Sequence, residues 1–152
     1  MWTQVSADDS GGLNRHMGIM RQMAHSYAMM PSAVLVAAIR KQQGELWHYQ
    51  GQGFEIGILF QYSLEREHWQ VLHVGFVGNV QPAAALDLTV SRIRDFLQGH
   101  NTPSFFTVPV TTADYQPLRA FYDLCLTNPD LRVRLVAQGD VGSVWEVSYI
   151  GP

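Results

Sequence analysis

The chain has 152 residues, 47% of them hydrophobic and 15% charged, which is enough apolar material for one domain, spanning 1–152, with a substantial core. Ten basic residues, nine arginines and Lys41, stand against thirteen acidic ones for a net charge of −3, and no Lys/Arg run of the kind that holds nucleic acid occurs. No apolar stretch approaches the ~20 residues of a membrane span, and the opening MWTQVSADDSGG carries two acids and no basic segment, so a soluble, cytoplasmic protein without an export signal is expected.

Trp2 to Val5 reads as a short strand, followed by the polar turn Asp8-Asp9-Ser10-Gly11-Gly12. Leu13, His16, Met17, Met20, Met23, Ala24 and Tyr27 then recur at helical spacing on a helix that stops before Pro31. Five of the six methionines fall between Met17 and Met30, a soft stripe read as facing the core. Val34 to Arg40 and Leu46 to Tyr49 have strand character around a Gln-Gln-Gly turn, as either one hairpin or one long bent strand. Phe54, Ile56, Ile58, Phe60 and Tyr62 alternate as on one face of a half-buried strand, with Glu55 on the other. Trp69 to Val77 follows, and the order implies an antiparallel meander.

The period then changes. Leu86, Thr89, Val90, Ile93, Phe96 and Leu97 make one stripe of a helix that stops at Gly99. Ser104 to Val110 reads as a buried strand, with Pro109 limiting its pairing on one side. A helix over Asp114 to Thr127 buries Leu118, Phe121, Tyr122 and Cys125 and is stopped by Asn128-Pro129. Leu131 to Ala137 and Ser143 to Ile150 flank a Gly-containing turn and form a hairpin.

Local chemistry is sparse. Cys125 is the only cysteine, on an apolar helical face, so no internal disulfide forms and a buried inert thiol is expected. His16, His25, His48, His68, His73 and His100 are scattered without paired ligand spacing, and no metal site is expected. Ser10 and Ser104 lack the sharp strand-to-helix turn of a nucleophilic serine. Arg132 and Arg134, and Arg92 and Arg94, read as solvated arginines.

The joint from Trp69 to Leu97 is the most informative stretch. A helix N-terminus just after a strand of an α/β sheet offers free N–H groups and a positive dipole end to an anion. With its place in the order of helix, three antiparallel strands, helix, strand, helix and closing hairpin, the chain resembles the GNAT family of acyl-CoA N-acyltransferases. The resemblance implies an α/β (α+β) fold: a mixed, mostly antiparallel twisted sheet with helices on both faces. It also implies acetyl-CoA or another acyl-CoA as cosubstrate. In that family the pyrophosphate sits on a turn of pattern Gln/Arg-x-x-Gly-x-Gly/Ala, whose glycines let backbone donors approach the anion.

On this chain the pattern falls on Asn79-Val80-Gln81-Pro82-Ala83-Ala84, with Pro82 where the first glycine belongs; an alignment shifted through Gly78 is also open. Proline lacks one donor but suits the first turn of a helix. The cofactor-binding expectation covers Val77, Gly78, Asn79, Val80, Gln81, Ala83 and Ala84. Phe121-Tyr122 is similar to the family's Phe-Tyr pair, which implies that Tyr122 protonates the departing thiolate. Tyr115 stands where the family has asparagine, and Leu126-Thr127 where it has Gly-Phe. Glu55 and His73 are the candidates for the base that takes the amine's proton. An enzyme would act on a small-molecule or protein amine. The alternative is a non-catalytic GNAT-fold binding or structural module with protein partners in an assembly, for example a bacteriophage accessory or virion protein. Neither reading involves nucleic acid or membrane.

Overall fold

A computed structural model of the chain describes residues 1–23, 32–41, 43–107, 125–139 and 142–152. In chain order the described elements are β1 (Trp2–Val5), α1 (Ser10–Met23), α2 (Ser32–Arg40), β2 (Gly44–Gln50), β3 (Phe54–Ser63), β4 (His68–Gly78), α3 (Pro82–Gly99), β5 (Ser104–Thr107), β6 (Leu131–Gly139) and β7 (Gly142–Tyr149). The strands form one sheet in the order β1-β2-β3-β4-β5-β7-β6. Only β4 and β5 run parallel, through Gln70↔Phe106 and Val71↔Thr107, and α3 supplies the crossover that a parallel pair requires. The other pairings are antiparallel, so the expected meander and closing hairpin are both present. Among the described residues no helix is long and apolar enough to cross a membrane.

The segment 34–40 is a helix, α2, and not a strand. A short apolar run is ambiguous between the two, and here two alanines and the packing decide it. Val36 and Ile39 face a core patch of Val5, Leu13, Met17, Leu46 and Leu59. The end of α2 also lies against the start of β2, where a Cβ on Gly44 would stand 3.2 Å from Ala38 Cβ. The Met-rich stripe is core-facing where it is described, since Leu13, His16 and Met17 are buried; residues 24–31 lie outside the described set.

The centre of β3, from Ile56 to Phe60, is buried on both faces rather than half-buried. On one face Ile58 and Phe60 join Val71, Val74, Ile93, Phe96 and Phe105 in the main core. The Phe60 and Phe96 rings stack at 3.7 Å, and Trp69 meets Phe96 edge-on at 5.1 Å. All six stripe residues of α3 are buried. On the other face, Leu59 packs under α1 and α2.

The sequence WQVLHVGF hides an irregularity. Leu59 pairs with His73 but Phe60 pairs with Val71, so β4 carries an extra residue at Leu72. Without it, Val71 and Val74, three apart, would point to opposite faces. With it both join the main core.

Beside this, His68 of β4, Ser104 of β5, Glu146 of β7 and Arg134 of β6 link four strands. Ser104 Oγ donates to Glu146 Oε2 at 2.9 Å and lies 3.0 Å from His68 Nε2, and Arg134 Nη2 donates to Glu146 Oε1 at 2.9 Å. Ser104 is buried and its proton is committed to a carboxylate, which is a structural bond and leaves no nucleophile.

Candidate functional site

The strand β4 ends at Gly78, whose φ of +101° is open to glycine and strained for other residues. A Cβ there would collide with the backbone of Gly53, in the loop between β2 and β3. Asn79 N–H donates to the Gly53 carbonyl at 2.9 Å, and Val80 N–H to the Gly78 carbonyl at 3.2 Å. Gly78 therefore fits this loop as a point of close backbone approach. Gln81 is the N-cap residue of α3, in an extended conformation and without a side-chain cap, and Pro82 opens the helix. Ala85 N–H closes the first internal bond on the Gln81 carbonyl at 3.1 Å.

The donors of this turn can thus be sorted. Those of Asn79 and Val80 are used inside the chain, and Pro82 has none. Among the described residues Gln81, Ala83 and Ala84 N–H have no partner, and all three residues are exposed. Ala83 and Ala84 are the second and third residues of α3, where a helix leaves its donors open to an anion. These two groups suit one phosphate oxygen; the full glycine cradle of the family pattern is missing here.

A cavity of about 290 Å³ adjoins the turn, lined by Gln50, Gly51, Gly53, Phe54, Glu55, Val77 and Gly78. Three expected site residues, Glu55, Val77 and Gly78, meet here, because Glu55 and Val77 are register partners across β3 and β4. The lining carries one carboxylate and no lysine or arginine. Glu55 Oε1 lies 3.5 Å from Nε2 of His48, a buried residue of β2. Burial pushes the His48 pKa below its usual range; Glu55 opposes that shift, Arg15 adds to it and Asp9 opposes it.

His73 stands elsewhere on β4, opposite Leu59 and next to the extra residue at Leu72. Four positions of β3 separate Leu59 from Glu55, about 13 Å at ~3.3 Å per residue. The two candidate bases do not share one site. Tyr122, with Tyr115 and Phe121, lies outside the described residues, as does the helix over Asp114 to Thr127 apart from its last turn at 125–127. Cys125 in that turn is buried, its thiol pushed up to about 12 by desolvation, so it is no nucleophile. Among the described residues no group of three His, Cys, Asp or Glu side chains is placed to hold a metal.

The buried histidines were not legible as partners. His48 and Glu55 sit on β2 and β3, on the face under α1, where a Cβ on Gly57 would stand 2.8 Å from His16 Nδ1. At the far end of α3, His100 Nε2 lies 2.6 Å from Glu45 Oε2, while Trp47 Nε1 donates to Glu45 Oε1 at 2.6 Å. Arg92 is not simply solvated, because its guanidinium lies 3.8 Å over the Trp47 ring. Only the register between β2 and β3 and the seating of α3 reveal these pairs.

No family of known sequence pattern and no curated relative matches the sequence. Solved structures do match the fold. An aminoglycoside 6'-acetyltransferase type Ii superposes with a TM-score of 0.63 at 12% identity, over 100% of this chain and 98% of that one. The aminoglycoside 6'-N-acetyltransferase from Enterococcus faecium superposes at 0.59 with 9% identity and the same coverage. Both are GNAT-fold proteins, and this chain has a divergent form of the GNAT fold, with a proline in the turn that opens α3.

Proposed function

We propose that the chain is a GNAT-like N-acyltransferase that takes its acyl group from acetyl-CoA or another acyl-CoA. The observation that carries this reading is the pair of unpartnered N–H groups of Ala83 and Ala84. They open α3 at the carboxyl end of β4, in a fold shared with acetyltransferases. The pyrophosphate would rest on these donors beside Gln81, with Val77, Gly78, Asn79 and Val80 forming the approach. The thioester supplies an activated acyl carbon. The amine nitrogen bonds to that carbon as the carbon–sulfur bond breaks. The amine's proton passes to a base on this chain, and the thiolate takes a proton from the Tyr122 phenol.

His73 suits the base better than Glu55. A pyrophosphate on Ala83 and Ala84 puts the other end of the cosubstrate well back along β4, toward Leu72 and His73, whereas Glu55 stands level with Val77 beside the turn. The acceptor is an amine of a small molecule or a protein. We place the chain in the cytoplasm on the same reading.

A second reading, a non-catalytic GNAT-fold binding module, is favoured by a specific set of features. Pro82 removes a donor, Asn79 spends its own on Gly53, and the cavity beside the turn presents a carboxylate and no cation to an incoming phosphate. Neither the fold nor its neighbours bears on a bacteriophage or virion role.

Thermal denaturation with added acetyl-CoA separates the two. A ligand that binds the native state alone raises the melting temperature by mass action. The enzyme reading expects a rise that saturates with acetyl-CoA, together with acylation of a panel amine that Tyr122→Phe slows. No shift at millimolar acetyl-CoA sinks it and leaves the binding module.

A further inference from the structure

The capacity of the turn for phosphate is set by its donors, and it is small. A helix leaves four N–H groups open at its start, and here these positions are Gln81, Pro82, Ala83 and Ala84. Pro82 has no N–H, and Gln81 is extended, with φ −68° and ψ 135°, outside the helical turn. Ahead of them, the N–H groups of Asn79 and Val80 are spent on the Gly53 and Gly78 carbonyls. Among the described residues two helical donors remain without a partner, those of Ala83 and Ala84.

The surroundings bring no cation to a second phosphate. Between Arg66 and Arg92 the sequence has no lysine or arginine, and from residue 68 to 91 its one charged side chain, histidines aside, is Asp87. The adjoining cavity of about 290 Å³ adds the carboxylate of Glu55. His48, 7% exposed, points its Nε2 at Glu55 from 3.5 Å and makes no hydrogen bond there among the described residues. Burial holds that imidazole below its usual pKa, so at neutral pH it sets no cation against the carboxylate. Arg15 of α1 acts on His48 through its charge and is not part of the cavity lining. An acyl-CoA carries its thioester on a pantetheine arm that ends in a pyrophosphate, with a nucleotide and a further phosphate beyond. One of these phosphates finds donors at this turn, and the others meet like charge.

We propose that this site reads only the phosphate nearest the pantetheine arm, so that the acyl donor it is built for is an acylated 4′-phosphopantetheine, and the nucleotide half of CoA adds no affinity. The inference rests on the acyltransferase reading above and narrows its cosubstrate. Two N–H groups at a helix start match one phosphate. A pyrophosphate needs a wider cradle of backbone donors, and Pro82 and the bonded Asn79 take that cradle away. The transfer step is unchanged. The amine nitrogen bonds to the acyl carbon as the carbon–sulfur bond breaks, the amine's proton passes to the base, and the thiolate of 4′-phosphopantetheine takes a proton and leaves as the thiol.

Calorimetric titration of the full chain tests this with acetyl-CoA, acetyl-4′-phosphopantetheine and acetyl-pantetheine, a series that loses first the nucleotide half and then the last phosphate. The first two are expected to bind within about threefold of each other, and acetyl-pantetheine at least about tenfold more weakly, because it lacks the charge-assisted bonds of the phosphate. Supplying what the turn lacks should create a preference. The double variant Glu55→Gln with Pro82→Gly gains a donor and loses a like charge, and is expected to bind acetyl-CoA about tenfold more tightly than acetyl-4′-phosphopantetheine. Glu55→Gln alone, which leaves the backbone untouched, should move the ratio the same way by about threefold. A wild-type chain that binds acetyl-CoA more than about threefold more tightly than acetyl-4′-phosphopantetheine overturns the inference and leaves the acyltransferase reading standing, because the nucleotide half is then held. Acetyl-pantetheine less than about tenfold weaker than the phosphorylated arm also overturns it, as does a ratio that neither variant moves. Binding of none of the three overturns the acyltransferase reading itself, and the inference with it.

Discussion

The two ends of α3 are built on opposite principles. At its carboxyl end, His100 N–H bonds to the Phe96 carbonyl, Thr102 N–H to the Leu97 carbonyl and Asn101 N–H to the Gln98 carbonyl, so three of the four orphan acceptors of the last turn are met. The His100 ring packs 4.8 Å from Trp69 and 4.4 Å from Phe96, and its Nε2 reaches Glu45 on β2. The amino end has no side-chain cap, begins with proline and leaves two alanine N–H groups without partners in the described chain. One end spends most of its backbone groups and holds the helix to the sheet; the other keeps donors in reserve. Structural bonds compete with ligands for the same groups, and only the end with unspent donors can exchange water for an anion.

The largest way to break this contrast is at the carboxyl end. Phe96→Ala removes the ring stacked on Phe60 and touched by Trp69 and His100, and a loss of about 3–5 kcal/mol is expected for a buried aromatic. Urea denaturation measures it. If the two ends are separate in function, the acetyl-CoA shift should persist in whatever folded protein remains.

A finer intervention fills the open end. Gln81→Asp places a carboxylate at the N-cap, where its oxygen accepts from Ala83 or Ala84 N–H. A gain of about 1 kcal/mol in stability is expected, with the acetyl-CoA shift abolished because the donors are taken and the new charge repels phosphate. A variant that is stabilised and still shifts with acetyl-CoA would show that the anion sits elsewhere.

The smallest effect is a slope with pH. His48, near the open end, and His68, at the start of β4, both have pKa values below 6.5 in the folded chain, in each case chiefly through burial. The folded state therefore favours neutral imidazoles, and the unfolded chain takes up protons first as pH falls. Their contribution is complete above about 6.5 and declines below it. Urea midpoints between pH 7.5 and 5 should fall, less steeply in His68→Gln, which keeps the His48 part alone. Midpoints flat across that range would contradict both shifts.

Much of the architecture was readable. The stripe of α3 is legible because five apolar residues and Thr89 at helical spacing admit one buried face, and the hairpin of β6 and β7 because two strand-like runs flank a glycine turn. Besides the half-buried reading of β3 and the solvated reading of Arg92, two features escaped the sequence. Val34 to Arg40 is too short for periodicity to separate helix from strand, so the packing of Val36 and Ile39 settled it. The extra residue in β4 was legible in principle, since Trp69 and Val71 are odd-numbered and Val74 and Phe76 even, a break in alternation within one apolar strand.

Of the site, the chain by itself determined the turn: the proline at the first helical position and the three small alanines after it. These are local facts of backbone chemistry, and they hold wherever the segment lies. The tertiary structure alone decided which donors are spent, because Asn79 meets the Gly53 carbonyl only when the loop between β2 and β3 is set against the end of β4. It also decided that Glu55 stands with His48 beside the turn and far from His73. That placement depends on strand register, and register arises from packing both faces of a sheet at once.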